Sequence, residues 1–156
     1  MTDEEKTRAA PDDVHALLDR IDARWRDLMQ ALDDIPEERL EESGVAGTWS
    51  IKHVMGHVAF WDEHAIAAIE RTLAGLPDDD ADVQTLNEAD HAARVGRTLA
   101  EERSALHQAH TAMVARLEEI AGIDAAALDA AIAADTYDHY AEHVADIQRW
   151  RQREDL

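Results

Sequence analysis

Apolar side chains recur along this chain at intervals of three and four residues, the period of helices that each bury one stripe. From Val14 the positions Leu17, Leu18, Ile21, Trp25, Leu28, Met29 and Leu32 keep that spacing and predict a first helix from about Pro11 to Asp33. Pro11 suits its first turn, where a missing N–H costs nothing. Pro36, Gly44 and Gly47 then mark a turn-rich connection ending in Thr48-Trp49-Ser50. Ser50 is a fitting N-cap for a second helix running to about Ala74, with Gly75 and Pro77 as its stop. The acidic run Asp78-Asp79-Asp80-Ala81-Asp82 reads as a solvated linker. A third helix is expected from about Asp82, broken at Gly96 and restarted by the capping-box pattern Thr98-Leu99-Ala100-Glu101, with the restarted part covering about Leu99 to Ile120. After Gly122 comes a short Ala-rich segment, Asp124 to Ala133, and then a last helix capped by Thr136 and reaching about Arg153. Alternation of Val, Ile and aromatics, the mark of strands, is rare.

Four substantial amphipathic helices, with long connections after the first and before the last, predict an all-α four-helix bundle. Such folds assemble their sites from inward side chains on facing helices. A length of 156 residues fits one domain, residues 11–156, behind a frayed polar tail, residues 1–10.

Charge and composition then remove whole classes of partner. The chain carries 35 acidic and 15 basic side chains, a formal net charge of -20. Its arginines are scattered singly among acids, whereas phosphate-backbone binding depends on clustered Lys and Arg, so no nucleic-acid partner is expected. With no cysteine, the chain has no disulfide, thiol nucleophile or thiolate ligand of its own. The acidic start Met1-Thr2-Asp3-Glu4-Glu5-Lys6 has no apolar core, and no later run approaches membrane-spanning length. The expectation is a soluble, cytoplasmic protein that does not contact membrane.

Candidate chemistry lies in the histidines. His139 and His143 stand four residues apart in a helical stretch, so both rings can point the same way, as a pair of metal ligands requires. Tyr140, Val144 and Ile147 form the apolar stripe beside them, which puts the pair at the edge of the core. On helix two, His53, His57 and His64 project to one side; His57 lies closest to the apolar stripe, while His53 and His64 read as more solvent-facing. Spacing alone leaves His53 and His57 as alternative third ligands. His15, His91, His107 and His110 read as surface or boundary residues. Trp49, Trp61 and Trp150 read as core or cleft walls. Asp62, Glu63, Asp138, Glu142 and Asp146 flank the candidate ligands and are candidate acceptors for a ligand's other ring N–H.

Gly47-Thr48-Trp49-Ser50-Ile51-Lys52, then His57, and finally His139-Tyr140-x-x-His143 with Ile147 and Trp150, together resemble the DinB-like (DinB/YfiT) superfamily over nearly the whole chain. The stretch Leu86-Asn87-Glu88 with the Arg97-Thr98-Leu99-Ala100-Glu101 restart is similar to a branch linked to self-protection against reactive small molecules. The resemblance implies a four-helix bundle holding a divalent metal, zinc or nickel, with His57, His139 and His143 as its ligands. It also implies a possible homodimer and thiol S-transfer with a low-molecular-weight thiol, thiol-dependent isomerisation, or hydrolysis of reactive electrophiles.

Three neutral imidazoles leave a coordination position open to water or a thiol, and metal binding activates either one near neutral pH. Since the chain has no cysteine, a thiol would have to arrive as a diffusible cofactor. Hydrolysis also needs a proton carrier, for which Glu142, Asp62 and His53 are candidates. Three readings follow: a metal-dependent small-molecule transferase or hydrolase, a sequestering protein that uses the cleft without turnover, and a structural dimerisation module.

Overall fold

The computed structural model describes residues 9–156, so eight of the ten residues of the expected tail lie outside it. It is all-helical, with no strand among the described residues. Among the described residues its α-helices are α1 Val14–Leu32, α2 Ile51–Leu73, α3 Val83–Ala93, α4 Leu99–Glu118, α5 Ala125–Ile132 and α6 Tyr137–Arg153, with a 3-10 turn at Glu37–Arg39. Among the described residues, no helix is long and apolar enough to cross a membrane.

The four long helices α1, α2, α4 and α6 enclose the core. α2 packs along α4 and α1 along α6, with shorter contacts closing α1 on α4 and α2 on α6. α1 buries Leu17, Ile21 and Leu28, all members of the stripe its sequence periodicity defines, together with Ala31. α2 is apolar on more than one face, burying Ile51, Val54, Met55, Val58, Ala65, Ala68 and Ile69, because α3, α4, α5 and α6 all touch it. The two short helices depart from a simple four-helix pattern. The expected third helix is two helices, since the chain turns at Gly96, whose φ of 86° belongs to glycine. The Ala-rich segment forms α5, which packs on α1 and α2.

Helix ends follow local chemistry. Ser50 caps α2 by accepting the His53 N–H, and Thr98 and Glu101 form the expected reciprocal box at the start of α4. Two expectations fail. Pro11 lies before α1, and Asp13 caps the helix instead, its Oδ1 accepting the Ala16 N–H at 2.8 Å. Thr136 makes no side-chain cap for α6; its hydroxyl donates to the Ile132 carbonyl at 2.8 Å and ties α6 to the end of α5.

Two buried polar arrangements interrupt the core. Glu102, at 2 % exposure, accepts from Arg94 Nη1 at 3.0 Å and from Arg97 Nε, while Arg94 Nε also donates to Asp90. This clamp joins the end of α3 to α4, and it lies so close to α2 that a Cβ at Gly56 would overlap Glu102 Oε2 and come within 2.9 Å of Arg94 Cδ. Gly56 is therefore required for room. The second arrangement centres on Asp62, which is fully buried. Its Oδ1 accepts from the Tyr140 hydroxyl at 2.7 Å, and His110 Nδ1 lies 3.0 Å from that hydroxyl. Burial pushes the Asp62 carboxyl up to about 8, and burial likewise lowers His110 to about 4.

Gly56→Ala should lower the melting temperature. Overpacking against a pinned carboxylate costs about 1–3 kcal/mol, which outweighs the helix-propensity gain of ~1 kcal/mol. A wild-type or higher melting temperature would contradict the close approach. For Asp62, the folded state favours the neutral acid, so its contribution is intact below the ordinary carboxylate range and is lost as pH rises toward about 8. Groups that face it are Tyr140 and His110, with Asp135 and Glu63 contributing further negative charge. Wild-type stability should therefore fall relative to Asp62→Asn between pH 5 and 8, by up to about 1.4 kcal/mol per pH unit; parallel denaturation curves across that range would contradict it.

Candidate metal centre

A tight turn builds the entrance. Gly47, at φ 60°, lets Trp49 N–H bond back to Ala46 O at 3.0 Å and Val45 N–H reach Trp49 O at 2.9 Å. Trp49 is thereby set against the His57 ring, edge to face at 4.7 Å. His57 follows on α2, and the i, i+4 spacing of α6 brings His139 and His143 to meet it.

The three rings converge through the same atom. His139 Nε2 lies 3.0 Å from His57 Nε2 and 2.9 Å from His143 Nε2. All three side chains are buried, at 9 %, 8 % and 5 % exposure for His57, His139 and His143, deeper than a core-edge position. Burial holds His57 down to about 3 and lowers His139 and His143 as well, so that all three are neutral near pH 7.

Hydrogen bonding cannot account for both contacts. A neutral imidazole nitrogen is either one donor or one acceptor, so His139 Nε2 can serve only one of its two neighbours. The outer nitrogens indicate where the protons sit. His143 Nδ1 is 3.2 Å from Asp146 Oδ2, close but without well-aligned hydrogen-bond geometry. His139 Nδ1 is also buried without an aligned partner, beside the Asp135 backbone. Protons drawn toward these acceptors leave Nε2 lone pairs facing one another, a repulsive cluster that a shared cation relieves. A tetrahedral zinc with bonds of about 2.0–2.1 Å separates its ligand nitrogens by about 3.3 Å, a few tenths of an ångström beyond the present distances. The donor set and its spacing thus fit a divalent ion, and among the described residues these three form the group with that geometry.

The cluster opens into a cavity of about 500 Å³ walled by Trp49, Trp61, Val83, Asn87, Asp135, Glu142 and Asp146. Trp61 Nε1 donates to Asn87 Oδ1 at 2.9 Å, which fixes α3 over the cavity. Three wall carboxylates give it a negative field that favours a cation. A second compartment of about 140 Å³ borders His57, lined by Lys52, His53, His91 and Arg94 among others.

Several sequence-based placements change. Asp62 is not a wall of the cavity and is fully buried, which removes it as a proton carrier for a substrate there. Glu63 is exposed, and Asp146 is the carboxylate beside the His143 ring. His53 is half-buried rather than solvent-facing: its Nδ1 accepts the Ser50 N–H at 3.1 Å and completes the cap of α2. His64 Nδ1 lies 2.6 Å from Asp135 Oδ2. His110 is half-buried against Trp25, the rings stacked at 3.7 Å. His15, His91 and His107 are exposed, although His91 stacks on Trp49 at 5.4 Å. The sequence places neither Asn87, read only as part of the Leu86-Asn87-Glu88 stretch, nor Asp135 in the cavity wall. Asp135 is four residues before His139, but it precedes the helix start and so falls outside the helical face that carries the pair.

Comparison with known proteins agrees with this fold. In Escherichia coli UTI89 an uncharacterised protein has a structure similar to this chain at a TM-score of 0.74 and 16% identity, covering 94% of this chain and 97% of that one. The structure of the colibactin self-resistance protein ClbS, in complex with a double-stranded DNA, aligns at a TM-score of 0.72 and 14% identity over 90% and 96% of the two chains. DfsB, described as a sibling lethal factor precursor, aligns at 0.72 and 12% over 92% and 97%. No curated protein matches the chain by sequence. The sequence model of the DinB superfamily matches residues 20–150, nearly the whole of the helical assembly described above, and the chain belongs to that superfamily.

Proposed function

We propose that His57, His139 and His143 hold a divalent metal, zinc or nickel, and that the protein acts on small electrophilic molecules as a thiol S-transferase or a hydrolase. The observation that carries this reading is the pair of short contacts at His139 Nε2, which a cation satisfies and protons cannot. A cavity of about 500 Å³ lies within the roughly 300–1,000 Å³ typical of small-molecule sites. A bound divalent ion would supply Lewis acidity, activating a water or an incoming thiol near neutral pH.

The chain's own groups would do the rest. Trp49 and Trp61 give the substrate apolar walls and exclude water from one side. Glu142 and Asp135 are the cavity carboxylates not beside the outer nitrogen of His143, and either can take a proton from the attacking group. Asp135 has a route onward, because its Oδ2 is paired with His64 Nδ1. In the absence of cysteine, a thiol enters as a low-molecular-weight cofactor.

A second reading, capture of a reactive small molecule without turnover, is favoured by the self-resistance role that ClbS carries in its description. Nucleic acid forms no part of either reading. A net charge of -20 opposes phosphate binding.

Purified protein should contain one equivalent of zinc or nickel by elemental analysis. Alanine at His57, His139 or His143 should abolish binding while the helical circular-dichroism spectrum persists. Added metal should raise the wild-type melting temperature, since a ligand at 100 times its Kd stabilises by about 2.7 kcal/mol, and should leave the alanine variants unchanged. Metal-independent stoichiometric protection of an electrophile's target would favour capture; failure of the wild type to bind any divalent metal would overturn the metal reading.

A further inference from the structure

Behind the three histidines, one side chain from each long helix joins a single chain of contacts, buried at Asp62 and Tyr140 and half-buried at His110 and Trp25. Trp25 of α1 stacks on His110 of α4 at 3.7 Å with the planes 4° apart. His110 Nδ1 lies 3.0 Å from the Tyr140 hydroxyl of α6, and that hydroxyl donates to Asp62 Oδ1 of α2 at 2.7 Å. Tyr140 and Asp62 are both 0 % exposed. Because the phenol has one proton and gives it to Asp62, it can only accept from His110.

This layer is costly for the fold. Asp62 Oδ2 is buried without a hydrogen-bond partner, and His110 Nδ1 stands 3.8 Å from it, beyond bonding range. Apolar residues of similar size would fill the same space without that unpaired carboxyl oxygen, and such replacements are often neutral or stabilising. A buried polar group retained at that cost is best attested as a device that fixes register between elements.

The register at stake here is that of α2 against α6. These two helices touch over a shorter stretch than α2 with α4 or α1 with α6, so direct packing aligns them less than it aligns those pairs. Polar ties across their interface include the histidine cluster itself and the Asp62–Tyr140 bond, and His64 of α2 pairs with Asp135 just before α6. Tyr140 directly follows His139, and Asp62 is five residues beyond His57, about 7.5 Å along the same helix. Holding Asp62 to Tyr140 therefore fixes both the rotation and the height at which His57 meets His139.

We propose that Asp62 and Tyr140, backed by His110 and Trp25, are positioning residues for the three-histidine site, setting the α2–α6 register that lets its Nε2 atoms converge. The proposal rests on the reading of that site as a metal centre. Its content is geometric: the layer acts through the placement of His57 and His139 and touches neither metal nor substrate.

Cobalt(II) titration of the full chain tests it, read by affinity against a competing chelator and by visible d–d absorption, which reports ligand geometry. Asp62→Asn keeps an acceptor for the Tyr140 hydroxyl and should retain wild-type affinity and spectrum. Tyr140→Phe, and the double variant Asp62→Leu/Tyr140→Phe, should bind about 10- to 100-fold more weakly, as loss of groups that orient ligands typically causes, with an altered spectrum. The double variant should keep its melting temperature, which separates positioning from mere stability; should it fail to fold, Tyr140→Phe against Asp62→Asn decides the matter. Wild-type affinity and spectrum in folded Tyr140→Phe would overturn the proposal while leaving the metal reading intact. A wild type that binds no cobalt would overturn both.

Discussion

One nitrogen atom with two neighbours too close to be served by a single proton is the constraint on which this structure turns. His139 Nε2 has His57 Nε2 at 3.0 Å and His143 Nε2 at 2.9 Å. In a buried site such contacts are unfavourable unless something positive is shared among them. The fold brings this about where α2 meets α6 at the floor of a cavity, so the same geometry that creates the electrostatic demand also leaves the cluster open to that cavity.

The surroundings keep that arrangement neutral and narrow in its choices. Burial disfavours imidazolium at all three candidate ligand rings, leaving lone pairs available near neutral pH. Asp146 lies at the outer nitrogen of His143, and the Asp135 backbone beside His139. α3 is held over the opening by the Trp61–Asn87 bond, and none of its own residues is buried. The cover is thus attached by polar contacts rather than by a share of the core, the usual condition of segments that admit ligands.

Much of this was legible in the residues. The stripes of α1 and α2, the caps at Ser50 and Thr98, and the i, i+4 pair on α6 follow from period and capping chemistry alone. Spacing could not choose between His53 and His57, since both fall on one face of α2; the choice depends on which ring the α6 pair meets across the interface, a tertiary fact. His53 instead turns its Nδ1 to the Ser50 N–H, a capping role usually filled by Glu or Gln. Partners distant in sequence were likewise invisible: Asp62 with Tyr140, Asp135 with His64, and Gly56 beneath Glu102 are each joined only once the helices are packed. Gly56 in particular looks like a mid-helix weakness in sequence and is a close-approach site in the fold.

The central claim is that the three imidazoles share one cation, and X-ray anomalous scattering at the zinc and nickel absorption edges tests it most directly. The account predicts a single anomalous peak at one of those edges, about 2.0–2.1 Å from Nε2 of His57, His139 and His143. Rings bridged only by water or turned away from one another, with no anomalous peak between α2 and α6 in crystals grown with added metal, would contradict it.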